Sequence, residues 1–368
     1  MIKLLADQHL YQLSEFLPSE IECTYYNPQE VIPNPKGFNA WLLNTVTKVN
    51  KNTYPTLPTS LRYIGTGSSG SDHIDKNYLS SNNIKFNDAK GCNAKAVAEY
   101  VATALLLLYM HKSTFNGINV GIVGVGATGS EVNTLLSKLG FSTTLYDPPR
   151  EAIDPYFISA SMEELLASDV LTFHVPLIKT GEYPTYHWLD AEKLNSYTFD
   201  TIVNVARGGI INEKSTLKAK LDGRIHHLII DVWENEPNFD IDFATHCFVA
   251  TPHIAGYSVQ AKRNASKIIT QKLCEFFQLE AREVPLAEKK VLSPTQNNCA
   301  TLTEYLLKMH PMMEYMHRMK EISTKKNKTL LFSKLRSNTP LRHEFSSTKL
   351  SSIDKNKFQI LKKLGVLA

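Results

Sequence analysis

The chain of 368 residues lacks the long hydrophobic runs and the cysteine patterns that mark several large classes of protein. Its longest largely apolar stretch, residues 102–110, is about half of the ~20 residues that a membrane-spanning helix needs. Five cysteines are scattered without CxxC spacing, and the first residues reach Asp7 too early for a secretory signal. We therefore expect a cytoplasmic protein, and neither a membrane protein nor a disulfide-stabilised secreted one.

An excess of positively over negatively charged residues is also missing from most of the chain and occurs only in its last part. Residues 281–368 hold 17 Lys and Arg against 7 Asp and Glu, whereas residues 1–280 hold 23 against 29. A basic tail is compatible with nucleic-acid binding, but zinc-ligand spacing and nucleic-acid-binding motifs are missing from it. We predict no nucleic-acid partner. Whether cations such as Lys334, Arg336 and Arg342 face solvent or meet a phosphorylated small substrate stays open at this point.

Residues 118–147 have the pattern of a strand, a glycine turn, a helix and a second strand that ends in a carboxylate. The glycines are Gly124, Gly126 and Gly129, and Asp147 follows Gly129 by 18 residues. The first glycine permits a tight turn, the second lets the backbone approach a diphosphate, and the third lets the helix pack on the sheet. The helix N-terminus attracts that diphosphate. A carboxylate at position 147 accepts hydrogen bonds from both adenosine ribose hydroxyls and repels a 2′-phosphate, so the motif predicts NAD rather than NADP.

Strands and helices alternate through the middle of the chain. After the glycine unit, apolar runs predict strands at residues 170–175, 201–206, 226–232 and 248–250, with helical segments between them. Ser161 and Glu164 form a capping-box pattern, and Asn212 is placed to cap the helix that follows it. This alternation predicts an α/β fold with a six-stranded, doubly wound sheet.

The sequence also predicts how the chain divides into domains. Short apolar runs before residue 92 predict a smaller parallel α/β domain at 1–92, and a helix at 259–280 is expected to pack back on it. The nucleotide-binding domain is expected at 93–258. A C-terminal α+β domain is expected at 281–368, with a helix near 301–320 and a strand at 329–332.

Three polar residues follow predicted strands on the same edge as the glycine turn. Arg207 follows the strand at 201–206, Glu236 follows 226–232 and His253 follows 248–250. An arginine holds the carboxylate of a 2-hydroxy acid with two parallel hydrogen bonds. A histidine takes the hydroxyl proton, and a carboxylate on its other nitrogen fixes its tautomer. Among 12 histidines the main rival is His174, at the end of the strand at 170–175.

These stretches resemble the D-isomer-specific 2-hydroxyacid dehydrogenases, which use NAD. The similar stretches are NVARGG at 204–209, DVWENEP at 231–237 and TPHIAGY at 251–257. The resemblance implies a Rossmann NAD-binding domain, a smaller flavodoxin-like substrate domain and no metal. It implies the following roles: Arg207, Glu236 and His253 are catalytic, Val175, Asp231 and Gly256 contact NAD, and Thr45, Ser68 and Tyr257 line the substrate site.

Other stretches resemble one branch of that family, among them VTKVN at 46–50, DPPR at 147–150 and FSKLRSN at 332–338. This resemblance implies a small phosphorylated 2-hydroxy acid as the substrate and a homodimer formed through the C-terminal domain. The chain departs from the family at Asn44 and Thr45, where Arg-Ser is usual. Two alternatives stay open: a different D-2-hydroxy acid, for example 3-phosphoglycerate, and a non-catalytic NAD(H)-sensing regulator on the same fold.

Overall fold

The computed structural model of the protein describes residues 1–112, 114–285, 290–292, 301–350 and 355–367. The strands are β1 (Ile2–Asp7), β2 (Ile21–Tyr26), β3 (Ala40–Leu43), β4 (Tyr63–Thr66), β5 (Lys85–Asp88), β6 (Asn119–Val123), β7 (Ser142–Tyr146), β8 (Val170–Phe173), β9 (Phe199–Asn204), β10 (Ile225–Ile230), β11 (Val249–Ala250), β12 (Lys290–Leu292) and β13 (Thr348–Leu350). The helices are α1 (Leu13–Phe16), α2 (Lys76–Ser81), α3 (Ala94–Tyr109), α4 (Ala127–Leu139), α5 (Pro148–Glu151), α6 (Met162–Leu166), α7 (Ala191–Ser196), α8 (Glu213–Leu221), α9 (Ile241–Thr245), α10 (Val259–Phe277), α11 (Leu302–Met309), α12 (Met312–Ser323), α13 (Lys328–Ser337) and α14 (Lys355–Lys363).

The chain groups into two compact units. The first contains Met1–Asn93 and Ser258–Glu288, and the second contains Ala94–Tyr257 and Lys289–Ala368. Most of the tail therefore groups with the nucleotide-binding part of the chain, while its first residues, before Lys289, group with the first unit. A third domain with its own role in assembly stays a prediction.

The first unit contains a five-stranded parallel sheet in the order β2-β1-β3-β4-β5. This is the flavodoxin-like strand order, which confirms that prediction. Ile269 and Leu273 of α10 pack in one core cluster with Leu42 and Tyr63 of the sheet. The strand β2 was not predicted from the sequence. It lies at the sheet edge and buries only Ile21 fully, so it shows no apolar run.

The second unit contains the predicted six-stranded parallel sheet, in the order β11-β10-β9-β8-β6-β7. The direction of strand order reverses between β6 and β8, and ligands of such sheets bind beyond the carboxyl ends at this switch point. The helix caps also agree with the sequence. Ser161 and Glu164 form the capping box of α6, and the Asn212 side chain accepts a hydrogen bond from the Ser215 N–H at the start of α8.

The tail differs from its prediction in two ways. The helix expected near 301–320 is two helices, α11 and α12, separated at Pro311, because proline lacks an amide hydrogen and clashes with the preceding turn. The prediction of a strand at 329–332 is wrong, since these residues lie in the helix α13. A short apolar run does not distinguish a strand from a helix, and the Leu, Lys and Arg residues around Phe332 favour the helix. The tail's strands are instead β12 and β13, which pair in parallel.

Apolar side chains of the tail belong to the cores of the second unit. Leu306 and Met309 join the cluster around α3 and α4, while Met316, Met319 and Phe332 join the cluster on the other face of the sheet. Over the part of the chain that the structure describes, no helix is both long and apolar enough to cross a membrane.

Candidate functional site

The glycine turn between β6 and α4 has the geometry that a dinucleotide requires. Gly124 has a φ of +87°, and a Cβ atom there would lie 2.5 Å from Val175 Cγ1. A Cβ atom at Gly129 would lie 2.0 Å from the Gly124 carbonyl oxygen, so α4 packs this closely only with glycine. A Cβ atom at Gly126 would meet no described protein atom within 4 Å. Protein packing therefore does not require glycine at 126, and the approach of a diphosphate to the α4 N-terminus at this position stays a prediction.

Asp147 follows β7 and lies against this turn. Its Oδ2 atom accepts a hydrogen bond from the Val125 N–H at 2.7 Å, and its Oδ1 atom accepts one from the Arg150 N–H at 3.1 Å. A carboxylate has about four acceptor positions, so it can still accept hydrogen bonds from two ribose hydroxyls. The carboxylate lies directly after β7, the position expected from the sequence. Its selection of NAD over NADP stays a prediction.

His174, the rival to His253, has a different environment. Its Nε2 atom lies 3.0 Å from Thr172 Oγ1, and burial lowers its pKa to about 3. A ring that resists protonation so strongly is a poor proton acceptor at neutral pH. The structure therefore favours His253 over His174 for proton transfer.

Asp231 anchors the turn that carries His253. Its buried carboxylate accepts hydrogen bonds from Thr251 Oγ1 at 2.6 Å, the Ile254 N–H at 2.7 Å and the Ala255 N–H at 3.0 Å. The His253 N–H donates to the Asp231 carbonyl at 2.7 Å, and His253 has a φ of +60°. Burial raises the pKa of Asp231, while the charge of His253 and these hydrogen bonds oppose that rise. Contact of Asp231 with NAD stays a prediction.

Glu236 and His253 form the central pair of the site. Glu236 Oε1 accepts a hydrogen bond from His253 Nδ1 at 2.5 Å, and about a quarter of each side chain is exposed. Burial raises the pKa of Glu236, but the charge and hydrogen bond of His253, together with the charge of Arg336, hold it below its ordinary value. An ionised Glu236 assigns the proton to Nδ1, which leaves Nε2 to take or give a proton.

Arg207 lies at the end of β9, next to this pair in the sheet order. Its Nη1 atom donates to the Ala206 carbonyl at 2.7 Å. A Cβ atom at Gly208 would lie 1.9 Å from the Trp233 carbonyl oxygen, so the turn after Arg207 packs against the loop that leads to Glu236. The strands β9, β10 and β11 are neighbours, and the three predicted catalytic residues follow their carboxyl ends.

The predicted substrate-site residues lie in both units. Thr45 is exposed after β3, and Ser68 follows β4, where its hydroxyl donates to the Gly70 carbonyl at 2.6 Å. Gly256 and Tyr257 belong to the second unit, directly after the turn of His253, and both are half-buried. The substrate contacts of these residues stay predictions.

The tail cations fall into three different environments. Arg342 forms a buried ion pair with Glu99 of α3 and donates to the Ala96 carbonyl at 2.9 Å, which favours a structural role. Lys334 is exposed. Arg336 Nη1 lies 4.0 Å from Glu236 Oε1. The position of Arg336 was missed from the sequence, because 100 residues separate it from Glu236 and only the charge excess of the tail hinted at a role.

Known proteins resemble this chain over most of its length. Residues 106–255 match the family model described as D-isomer specific 2-hydroxyacid dehydrogenase, NAD binding domain. The chain is similar to an erythronate-4-phosphate dehydrogenase of Bacteroides fragilis, with 33% identity over 350 residues that cover 93% of this chain and 97% of that protein. It is also similar to an erythronate-4-phosphate dehydrogenase of Pseudoalteromonas translucida, with 32% identity over 375 residues that cover 99% of each.

Solved structures share the fold at lower identity. A D-lactate dehydrogenase from Aquifex aeolicus, complexed with NAD and lactic acid, is 22% identical and has a TM-score of 0.58, covering 75% of this chain and 95% of that one. An NAD-dependent formate dehydrogenase from Staphylococcus aureus, in complex with NAD, is 21% identical and has a TM-score of 0.60, covering 75% and 96%. At these identities the likeness shows the fold.

Proposed function

The chain belongs to the D-isomer-specific 2-hydroxyacid dehydrogenase family and, within it, to the erythronate-4-phosphate dehydrogenases, and from this membership we propose that it oxidises 4-phospho-D-erythronate at C2. It is an NAD-dependent oxidoreductase that acts on the CH–OH group of hydroxy acids. The product of the proposed reaction is 2-oxo-3-hydroxy-4-phosphobutanoate. The proposed pathway is the synthesis of pyridoxal 5′-phosphate, vitamin B6.

The observation that supports catalysis most strongly is the hydrogen bond between Glu236 and His253. His253 Nδ1 donates its hydrogen bond to Glu236 Oε1 at 2.5 Å, so the other ring nitrogen, Nε2, is the one that can exchange a proton with the substrate. We assign His253 Nε2 as the acceptor of the C2 hydroxyl proton. Glu236 fixes the tautomer and stabilises the imidazolium that forms, since its own charge is retained throughout.

The reaction removes a hydride from C2 and a proton from the hydroxyl group that C2 carries. Bound NAD supplies the acceptor for the hydride. As the C2–H bond breaks with its electron pair, the C2 hydroxyl proton passes to His253 Nε2 and the C2–O bond becomes a carbonyl. Arg207 is proposed to hold the substrate carboxylate and to stabilise the charge that develops on the C2 oxygen. Release of the proton from His253 to solvent restores the pair.

Three finer points belong to the same proposal. Asp147 selects NAD, and Val175, Asp231 and Gly256 line the cofactor site. Thr45, Ser68 and Tyr257 line the substrate site, although Asn44 stands where relatives usually have arginine. The four cysteines in described residues are free thiols, which supports a location in the reducing cytoplasm.

The test is a turnover assay that identifies the product. The purified protein is incubated with NAD, 4-phospho-D-erythronate and an electron acceptor able to reoxidise bound NADH. The proposal predicts an acid that has lost two hydrogens, detected by mass spectrometry. A parallel reaction with 3-phospho-D-glycerate is the control.

Two results would contradict the proposal in different ways. Turnover of 3-phospho-D-glycerate without turnover of 4-phospho-D-erythronate would assign a different 2-hydroxy acid. Binding of NAD with no turnover of either acid would favour the NAD(H)-sensing regulator.

A further inference from the structure

Helix α13 of the tail is fixed on the loop that follows Glu236. The rings of Phe332 and Phe239 lie 5.5 Å apart, and both side chains are fully buried. Lys328 Nζ donates to the Phe239 carbonyl at 2.7 Å. One buried aromatic pair and one hydrogen bond therefore hold the helix on Phe239, which follows Glu236 by three positions in the sequence.

Arg336 continues the same face of α13 toward Glu236. Lys328, Phe332 and Arg336 are spaced by four residues, so their side chains project from one side of the helix. This spacing brings Arg336 Nη1 to 4.0 Å from Glu236 Oε1. Arg336 Nε and Glu236 Oε2 are both buried, and neither has a hydrogen-bond partner among the described residues.

The other charged groups around the pair are mostly acidic. Asp231 interacts with the charge of His253. Burial, together with the charges of Glu234, Asp240 and Glu236, raises the pKa of Glu213 to about 8, while a hydrogen bond from the Glu234 N–H opposes that rise. Arg207 adds a cation at the neighbouring strand end. In these surroundings a cation next to Glu236 opposes the binding of an extra proton to the Glu236–His253 pair.

We propose that Arg336 is a positioning residue for the Glu236–His253 pair, so that the tail completes the active site of its own chain. The guanidinium holds the carboxylate in place against the histidine ring and keeps the pair free of an extra proton at neutral pH. The proposal rests on the roles assigned to Glu236 and His253 under the proposed function.

The sign of the effect follows from the charges. Oxidation starts from a neutral His253, so the acidic limb of the pH–rate profile reports proton uptake by the pair. Loss of the Arg336 charge favours that uptake and moves the limb to higher pH. Loss of the Glu236 charge disfavours it, so Glu236→Gln moves the limb to lower pH.

The experiment compares kcat/KM against pH for the full-length wild type, Arg336→Gln, Arg336→Lys and Lys334→Gln. Arg336→Gln is expected to move the acidic limb up by about half to one pH unit, the effect of one charge 4.0 Å from Glu236 Oε1 in a partly exposed site. Arg336→Lys keeps the charge and should leave the limb within about 0.2 units, allowing for a weaker contact. Lys334→Gln removes an exposed charge from the same helix and should leave it unchanged. Ionisation of the substrate phosphate is common to all four proteins, so it cancels in the comparison.

A second readout does not require activity. NMR titration of the His253 ring, assigned with a His253→Gln sample, should show a higher midpoint in Arg336→Gln and an unchanged midpoint in Arg336→Lys. This shift with no turnover of 4-phospho-D-erythronate would contradict the proposed function and support the positioning role. Unmoved limbs and midpoints in Arg336→Gln would overturn the positioning role. A rise in KM only for the phosphorylated acid, with an unmoved profile, would overturn it as well and assign Arg336 to the substrate phosphate.

Discussion

Asp231 is buried and Glu236 is about a quarter exposed, and the two carboxylates next to His253 have different tasks. Asp231 accepts hydrogen bonds from two backbone N–H groups and one hydroxyl, so its charge is used to shape the turn of His253. Glu236 bonds the ring itself, and its pKa lies below the ordinary value despite burial. Asp231 therefore sets the position of the histidine, while Glu236 sets the protonation of its ring.

At Asp147 we predict a change in cofactor choice. Asp147→Ala removes the ribose hydrogen bonds and the repulsion of a 2′-phosphate, so the ratio of the NADP and NAD dissociation constants should fall by roughly 10- to 100-fold, as expected for charge-assisted hydrogen bonds. Titration of both cofactors by calorimetry measures this ratio. Asp222→Ala is the control, because Asp222 pairs with Lys218 on the exposed surface of α8. An unchanged ratio in Asp147→Ala would assign cofactor choice to another residue.

At the scale of the element, two glycines near the start of α4 are expected to have different tasks: Gly129 in packing and Gly126 in cofactor binding. A Cβ atom at Gly129 would lie 2.0 Å from the Gly124 carbonyl oxygen, whereas one at Gly126 would meet no described atom within 4 Å. Gly129→Ala should lower the free energy of unfolding by about 3 kcal/mol. Gly126→Ala should lower it by less than about 1 kcal/mol but weaken NAD binding. Denaturant unfolding and NAD titration of both variants test this, and equal stability losses would contradict it.

The ion pair between Arg342 and Glu99 attaches the tail to α3. Arg342→Ala leaves a buried carboxylate unpaired, which should cost about 3–5 kcal/mol. Burial raises the pKa of Glu99 to about 7 although the charge of Arg342 opposes that rise. Without Arg342 the pKa rises further, so Glu99 is neutral at pH 6 and must take up a proton or carry a buried charge at pH 8. The loss of stability should therefore be larger at pH 8 than at pH 6.

Unfolding midpoints of Arg342→Ala at the two pH values measure that difference. Arg318→Ala is the control, because Arg318 pairs with Glu314 on the exposed face of α12. Its effect should be small and similar at both pH values. A loss for Arg342→Ala that did not grow with pH would contradict the buried-pair account.

The elements that the sequence predicted correctly have local signals. The capping box of Ser161 and Glu164 and the cap at Asn212 begin their helices as expected. The elements that it missed depend on distant parts of the chain. Strand β2 is an edge strand with one fully buried residue, and α13 carries a short apolar run that has no distinctive period until Phe332 packs on Phe239.

At the scale of the whole molecule, strand order explains which part of the site was predictable. The carboxyl ends of neighbouring parallel strands meet at one edge, so Arg207, Glu236 and His253 were expected together from their places after β9, β10 and β11. Arg336 was not, because no pattern in the sequence relates the tail helix to the loop after β10. Only the folded arrangement brings it to Glu236.

The tail also carries the prediction of a homodimer. Light scattering of the full-length protein should give roughly twice the chain mass of 41.4 kDa over a range of concentrations. Truncation at Pro285 should abolish the dimer and expose the apolar surfaces that Leu306 and Met316 cover in the described structure. A full-length monomer, or a truncated protein that is still a dimer, would remove the tail from the interface.

The most direct test of the whole account is single-turnover hydride transfer in wild type and His253→Gln. Enzyme in excess is mixed with NAD and 4-phospho-D-erythronate, and NADH is followed by its absorbance. The account predicts prompt NADH formation by the wild type and a rate lower by roughly 10²–10⁴ in His253→Gln, the usual worth of a general base, with NAD affinity unchanged. A His253→Gln rate within about threefold of the wild type would contradict the assignment of His253 as the proton acceptor.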